Sequence, residues 1–367
     1  SSKAAKHYGI KTGSRSYEAK KLYPGVILIP ADFPKYWEVS KKFLGIASDY
    51  SPFVELFSID EVFIDTTKTN HLFGGPYGIV KYIKARIHKE IGECVTVSIG
   101  LSHNKLLAKL ASGLNKPNGF VEITPENVWT IYAKAQLTDI CGIGKRVKQR
   151  LHGIGIYSLL DLRTAPLSLL VGEFGNAETQ FLKQIGNAID DSPIIPYTEE
   201  PEVKSVGRNY CLPKNEYNKQ VVLQNIFELC EEVAIKLRRF HKKARTVGLS
   251  LRGDENFHMQ KTGSTCFDTG KELFSICQLI MKRWHWKYIR MVRVWASNLE
   301  DEKNVPLSLF DQTERNERVV KTVDKINDRF GDHNIRNGFL LYADKLTTVP
   351  NGYMADKYER IKLATTG

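Results

Sequence analysis

The sequence predicts a multi-domain α+β protein. Three observations carry that prediction. The chain has 367 residues, more than one hydrophobic core ordinarily spans. Apolar runs of period 2 alternate with runs of period 3.6 along it. The stretch DDSPIIPYTEEPEV, residues 190–203, breaks both patterns with three prolines and reads as an interdomain linker centred on 191–202.

Taken in order, the opening residues form a short helix (Ala4, Ala5, Tyr8) ended by Gly9, a second helix around Tyr17 to Leu22, and an apolar run from Val26 to Ile29. A helix from Pro34 to about Tyr50 precedes PFVELFSIDEVFIDTT, two β-rich pieces flanking Ser58 to Glu61 and hence a hairpin. Ile79, Val80, Ile83, Ile87 and Ile91 share one helical stripe, and CVTVSIG alternates as a strand beginning near Cys94. A helix from Asn104 to Leu114, the turn NKPNG and a strand from Phe120 to Ile123 follow, so hairpin, helices and strands are expected on one sheet over 34–123. Residues 124–190 read as a small helical module with recurring glycine pairs. Beyond the linker, the pattern is strand (Lys204 to Cys211), helix (Tyr217 to Phe240), strand (Ala244 to Arg252), helix (Lys271 to Trp284), strand (Tyr288 to Leu299), with helices covering one sheet face. A charged tail with one helix, Glu314 to Phe330, closes the chain.

Composition narrows the function. Hydrophobic residues make up 42% and charged residues 26%, which is globular, and no run approaches the roughly 18 apolar residues of a membrane span. A secretory signal is not legible at Ser1, so the chain is expected in the cytoplasm, away from any membrane. The six cysteines are scattered without a CxxC pair, which argues against a zinc knuckle or a disulfide framework. The net charge is +12, and residues 201–300 hold 18 Lys and Arg against 10 Asp and Glu. Such an excess favours a polyanionic partner, because neutralised phosphates release counterions; a charged helix face is the plainer cause.

Three motifs carry chemistry. Asp60 and Glu61 are adjacent carboxylates between apolar strands. Carboxylates so placed can hold a pair of divalent ions that activate a hydroxyl and neutralise a leaving pyrophosphate; a solvated hairpin turn gives the same pattern, and the pair alone leaves both readings open. GLSHNKLLAKLASGLNKPNG, Gly100 to Gly119, supplies Lys105, Lys109 and Lys116. Lys116, on a Pro/Asn/Gly turn, is suited to a triphosphate, whereas Lys109 reads better as a solvated lysine on a helix face. DICGIGKRVKQRLHGIGI, residues 139–156, fits a helix-hairpin-helix: Gly142 and Gly144 let the backbone approach a phosphate, and the helix starting at Lys145 and Arg146 offers free N–H groups and its dipole. Glycine capping is the alternative. VGEFGNAETQFLKQIG, 171–186, reads as a degenerate second copy.

The order SIDEVFID, GLSHNK…AK…KPNG, CGIG…LHGIG and KSVGR resembles the Y-family DNA polymerases of the DNA polymerase IV type over nearly the whole chain. The resemblance implies a right-hand polymerase: partial fingers at 1–33, palm at 34–123, helix-hairpin-helix thumb at 124–190, linker at 191–202, little finger at 203–300 and a C-terminal tail at 301–367. It implies low-fidelity translesion synthesis on primer-template DNA from deoxynucleoside triphosphates, by a monomer. Asp60 and Glu61 match the palm carboxylates that hold two Mg²⁺ ions, with Mn²⁺ able to replace them. Lys116 matches the lysine that meets the triphosphate. Lys204, Ser205 and Arg208 match the first little-finger strand, along template phosphates.

Departures from the family pattern carry expectations of their own. Where the family often has Tyr-Glu-Ala-Arg against the triphosphate, this chain reads Lys3-Ala4-Ala5-Lys6; Lys6 keeps the charge but not the planar fork of an arginine. The family's third carboxylate sits in a DxxxFF-like motif on an N-terminal strand, beside an aromatic that excludes ribonucleotides. Neither is found here, so the chain as it stands is expected to bind primer-template DNA and to polymerise weakly or not at all. Pro306-Leu307-Ser308-Leu309-Phe310 is similar to a sliding-clamp-binding pentapeptide, with proline in place of the usual first Gln; docking there would raise effective concentration on DNA, while local packing is the alternative. Two further readings remain at this level: a non-catalytic primer-template-binding relative, and a helix-hairpin-helix repair nuclease or glycosylase.

Overall fold

The computed structural model describes residues 1–199, 202–282, 284–305, 311–331, 334–341, 343 and 346. The chain divides into two units, Ser1–Glu199 and Glu200–Gly367.

In the first unit, α1 (Lys3–His7) starts where the Ser2 hydroxyl accepts the Ala5 N–H at 3.1 Å, and α2 (Ser16–Leu22) follows. α1 buries none of its residues and α2 only Ala19, with Ile10 buried in the turn between them. The apolar run that follows stays outside the core, with Ile27 and Ile29 84% and 83% exposed. α3 (Phe33–Ser48) is capped by the Asp32 side chain on the Lys35 N–H and turns a stripe of Trp37, Ser40, Leu44 and Ala47 inward. β1 (Val54–Ser58) and β2 (Glu61–Ile64) form the antiparallel hairpin. α4 (Pro76–Arg86) runs on as one π turn through Ile87–Ile91. β3 (Ile99–Ser102), α5 (Lys105–Leu114) and β4 (Phe120–Ile123) then make a parallel crossover unit.

The expected single sheet is not what forms. The hairpin and the β3–β4 pair are separate two-stranded sheets, joined through a core of Ile46, Tyr50, Ile79, Ile83 and Ile87 on which Ile64 and Ile99 both pack. The strand expected from Cys94 begins only at Ile99. Cys94 and Val95 are exposed, and among the described residues no neighbouring strand pairs with the backbone of 95–98. Alternation alone does not make a strand without a ladder partner.

The helical part comprises α6 (Val128–Lys134), α7 (Lys145–Gly153), α8 (Leu159–Thr164) and α9 (Leu167–Gly186), the last interrupted at Gly175. Its core joins Tyr132, Leu151, Leu159 and Leu182 to Leu107 and Leu110 of α5. Each such aliphatic side chain contributes about 1.5–3 kcal/mol on burial, so α5 is held from two sides, by its strands and by these helices. The stretch after α9 does not swing free. The Tyr197 N–H donates to Val54 O at 2.7 Å and the Ile195 N–H to Glu55 Oε2 at 3.0 Å, so the proline-rich segment runs back along β1.

The second unit is an antiparallel sheet of β5 (Ser205–Glu216), β6 (Lys242–Gly253), β7 (Asn256–Phe267) and β8 (Ile289–Asp301), in the order β5-β8-β6-β7. α10 (Lys219–Arg239) and α11 (Gly270–Met281) cover one face, burying Ile226, Leu229, Val233 and Leu273 against Val247, Leu249 and Val294. β7 was not expected: its residues are mostly exposed, an edge strand without apolar alternation. α12 (Asp311–Phe330) docks on the end of α10 through the Arg238 guanidinium, whose nitrogens reach the Asp324 carboxylate at 2.6 and 2.7 Å. Among the described residues no helix is long and apolar enough to cross a membrane.

Candidate active site and nucleic-acid interface

The hairpin positions both candidate carboxylates. Ser58 pairs with Glu61 across the turn, the Ser58 hydroxyl donates to Asp60 Oδ1 at 2.5 Å, and the buried Ser40 of α3 donates to the Ile59 carbonyl. The turn is thus pinned at its apex while Asp60 stays exposed. Ser40 is a residue that sequence reasoning passed over; the only signal for it was a lone hydroxyl on an otherwise apolar stripe.

One face of the hairpin carries Glu55, Phe57, Glu61 and Phe63, and α5 sets two lysines against it. Lys105 Nζ lies 2.7 Å from Glu55 Oε2 and Lys109 Nζ lies 2.7 Å from Glu61 Oε2. Lys109 also lies 4.5 Å from the centroid of Phe57 and Lys105 lies 5.3 Å from that of Phe63, cation–π contacts that hold the stems in place. Lys109 is therefore no solvated helix lysine. The spacing of four residues puts both ammonium groups on one face of α5, but their partners lie about fifty residues away in sequence and were not legible locally. α5 can lie close to β3 because residue 100 is glycine: a Cβ there would stand 2.0 Å from the Ala108 carbonyl oxygen.

Lys116 is exposed on the turn between α5 and β4, and Lys3 and Lys6 are exposed on α1. The described residues give none of these three a hydrogen bond or ion pair with Asp60 or Glu61. They are free cations, which suits a triphosphate, but the chain alone does not bring them onto the carboxylates.

The Ile140–Lys145 turn has the form a phosphate needs. Ile140 and Ile143 are buried and anchor it, while Cys141, Gly142, Gly144, Lys145 and Arg146 are exposed. Gly142 has φ +100°, and a Cβ there would stand 2.6 Å from the Phe181 ring, so glycine is required twice over. Gly144 is the N-cap of α7 without a side chain to cap it, which leaves the first N–H groups to an outside acceptor. Gly175 has φ +75° and breaks α9 in the region expected as the second copy. Arg150, by contrast, is exposed but already paired within the chain: its Nε lies 2.6 Å from Glu173 Oε1 and its guanidinium lies 4.2 Å from the Phe174 centroid.

The strand β5 separates its candidates by parity. Val206, Arg208, Tyr210 and Leu212 face the helices, and Ser205 faces away. Arg208 is 3% exposed, with its Nε 3.7 Å from Glu232, so it is not on the surface that phosphates would reach. The expectation for Arg208 is corrected: the sequence pattern Val-x-Arg-x-Tyr-x-Leu already placed it on the apolar side of a period-2 strand. Lys204 and Ser205 remain exposed. Residues 306–310, with Leu307, Leu309 and Phe310, lie outside the described residues.

Comparison with known proteins decides the family. The impB/mucB/samB family model matches residues 1–113, and the model of that family's C-terminal domain matches residues 203–309. The DNA polymerase IV of Pelotomaculum thermopropionicum is 34% identical over 339 residues, covering 90% of this chain and 82% of that protein. The chain belongs to the DNA polymerase IV family. Other members agree: that of Moorella thermoacetica is 32% identical, with 91% of this chain and 84% of the relative covered, and DNA polymerase IV 2 of Bacillus subtilis is 30% identical, with 89% and 81% covered. The fold is that of Y-family polymerases. A Y-family DNA polymerase chimera of Dbh and Dpo4 superposes with a TM-score of 0.67 at 23% identity, over 81% of this chain and 86% of that one; the insertion ternary complex of Dbh DNA polymerase gives 0.51 at 22% identity, over 82% and 86%. In this DNA polymerase IV relative, the two matched family segments contain Asp60, Glu61, Lys204 and Ser205, and the helix-hairpin-helix lies between them.

Divalent metal ions are general to Y-family polymerases, and the donor set here fits them. Asp60 and Glu61 are hard oxygen donors suited to Mg²⁺; Asp60 is exposed and Glu61 offers Oε1 while Oε2 meets Lys109. No group of three or more His, Cys, Asp or Glu side chains that could hold a metal is gathered anywhere among the described residues, the Asp60–Glu61 apex included.

Proposed function

We propose that this chain performs template-directed, low-fidelity translesion DNA synthesis, with Asp60 and Glu61 as the carboxylates that hold two divalent ions, Mg²⁺ with Mn²⁺ able to replace it. Membership of its family makes the protein a DNA-directed DNA polymerase, a nucleotidyltransferase. The primer 3′-hydroxyl loses its proton to solvent and its oxygen attacks the α-phosphorus of a deoxynucleoside triphosphate, the bond to the bridging oxygen breaks, and pyrophosphate leaves with the electron pair. When bound, the ions lower the pKa of the attacking hydroxyl and neutralise charge on the phosphates.

The protein's own part is placement and electrostatics. The pinned hairpin apex keeps the two carboxylates side by side on a rigid element. Lys116, Lys6 and Lys3 supply positive charge to the triphosphate as point charges. Gly142, Gly144, Lys145 and Arg146 take a phosphate of the duplex backbone, and Lys204 and Ser205 take template phosphates, both without reading sequence. Residues 306–310 supply a clamp-binding peptide, and the enzyme works as a monomer.

The observation that carries this reading is the pinned hairpin apex, with Asp60 exposed and the adjacent Glu61 half-buried against Lys109 of α5, in a chain of this family. Extension of a labelled primer across an abasic site in the template, with Mg²⁺ and all four deoxynucleotides, tests it. The expected result is weak product past the lesion, in keeping with the impaired polymerisation that the departures from the family pattern imply, and it disappears on chelation. Tight primer-template binding with no extension under Mg²⁺ or Mn²⁺ overturns the catalytic part in favour of a non-catalytic DNA-binding relative.

A further inference from the structure

The sheet of the second unit has two edge strands, and they are guarded differently. β5 carries Pro213, which has no N–H to offer, and its register with β8 is irregular between Cys211 and Glu216. β7 has no proline, and over 256–262 its residues pair with β6 one for one. Among the described residues no strand pairs with the other edge of β7. This regular stretch therefore presents an outward row of backbone donors and acceptors.

Beside that row lies a groove of about 420 Å³, lined by Met259, Gln260, Lys261, Leu279, Ile280 and Lys282. Phe257 packs on the core beneath α10 and α11, and strand alternation puts Met259 and Lys261 on that same helix-covered side. Met259 and Leu279 are 49% and 57% exposed. Lys261 and Lys282 are exposed too, and no carboxylate lies on β7 or lines the groove. One exposed aliphatic side chain is ordinary. Here two, from different elements, share a groove with two lysines next to an unguarded strand edge.

We propose that β7 accepts an added strand: an extended acidic peptide of a partner protein pairs with the edge at 256–262, sets apolar side chains against Met259 and Leu279, and places carboxylates near Lys261 and Lys282. Main-chain pairing supplies affinity, while the groove and the lysines select the sequence. The same residues choose among occupants. A second copy of this chain would bring its own lysines to the edge, and the net charge of +12 adds to that repulsion. Nucleic acid would satisfy the lysines but leave Met259 and Leu279 without a partner. A peptide alternating acidic and apolar residues meets both demands. The proposal rests on the second unit alone and not on the polymerase reading.

The probe is a fluorescein-labelled peptide of alternating glutamate and valine, about eight residues long, read by anisotropy with the full chain. A Kd of roughly tens to hundreds of micromolar is expected, with no binding of the lysine and valine counterpart. N-methylation of the peptide backbone removes its donors and keeps every charge, and should weaken binding at least about tenfold. Lys261→Glu with Lys282→Glu, both at exposed positions, should raise the Kd about tenfold and leave the melting temperature unchanged. Absence of binding below about 1 mM, equal binding of the N-methylated peptide, or an unchanged Kd in the double variant overturns the proposal. Displacement of the peptide by oligothymidylate would give the edge to nucleic acid, and a dimer in sedimentation that Leu279→Asp abolishes would give it to a second copy; either result also overturns it. No nucleotide or metal enters these measurements, so their failure leaves primer extension standing.

Discussion

Lys109 Nζ lies 2.7 Å from Glu61 Oε2, so the carboxylate read as a metal ligand already has a cation at its side. The ammonium orients Glu61 but also opposes a second cation at the same oxygen. Lys109→Met should therefore lower the Mg²⁺ concentration that half-saturates nucleotide addition, by about fivefold for a pair worth roughly 1 kcal/mol, and also lower the maximal rate, because Glu61 loses its anchor. Mg²⁺ titration of single-nucleotide addition reads both; an unchanged midpoint would show that metal and lysine do not share the carboxylate.

The neighbouring pair is more enclosed. The side chains of Lys105 and Glu55 are 16% and 14% exposed, and Glu55 also accepts the Ile195 N–H. Removing one partner leaves a partly buried charge, so Lys105→Met is expected to cost about 2–4 kcal/mol in the first unit. Adding Glu55→Gln should restore part of that loss. Denaturant melts of the two single variants and the double variant measure the coupling; strictly additive losses would mean that the pair is not coupled.

Thumb residues can be tested by salt. Lys145→Gln with Arg146→Gln should weaken duplex binding and flatten the plot of log Kd against log salt by about one unit per lost phosphate contact, with the melting temperature unchanged. Gly142→Ala, by contrast, strains a residue at φ +100° and meets the Phe181 ring. It should destabilise by more than about 1 kcal/mol, weakening binding through the fold. A salt slope unmoved by the double variant would remove this turn from the interface.

Arg208 and Lys204 make a contrasting pair. Arg208, 3% exposed beside Glu232, should on mutation to Met cost several kcal/mol of stability and leave the salt slope alone. Lys204→Gln should do the reverse, lowering the slope by about one with no change in melting. Exchange of the two outcomes would restore Arg208 to the DNA-facing surface.

Much of this architecture was legible where local pattern and local chemistry agree. α5 begins at Asn104, whose side chain caps the Leu107 N–H, and β4 spans Phe120–Ile123, because a cap, an amphipathic stripe and an NKPNG turn all point the same way. Asp60 and Glu61 stood out as charges among apolar neighbours. What escaped depends on distant partners. β7 is a polar edge strand made by pairing with β6, 95–98 alternates yet among the described residues has no strand beside it, and the ion pairs of Lys105 and Lys109 join elements about fifty residues apart. Arg208 differs again: its family motif points to phosphates, whereas the period-2 burial of the same residues puts it on the apolar side of β5.

Single-turnover addition of one nucleotide to a primed template, comparing the full chain with Asp60→Asn and Glu61→Gln at saturating DNA and Mg²⁺, probes the metal-binding role most directly. Losing a metal-holding carboxylate from a reaction that runs on charge neutralisation should slow addition by roughly 10³-fold or more in each variant, with primer-template affinity unchanged. Variants that add the nucleotide within about twofold of the parent rate would contradict the account.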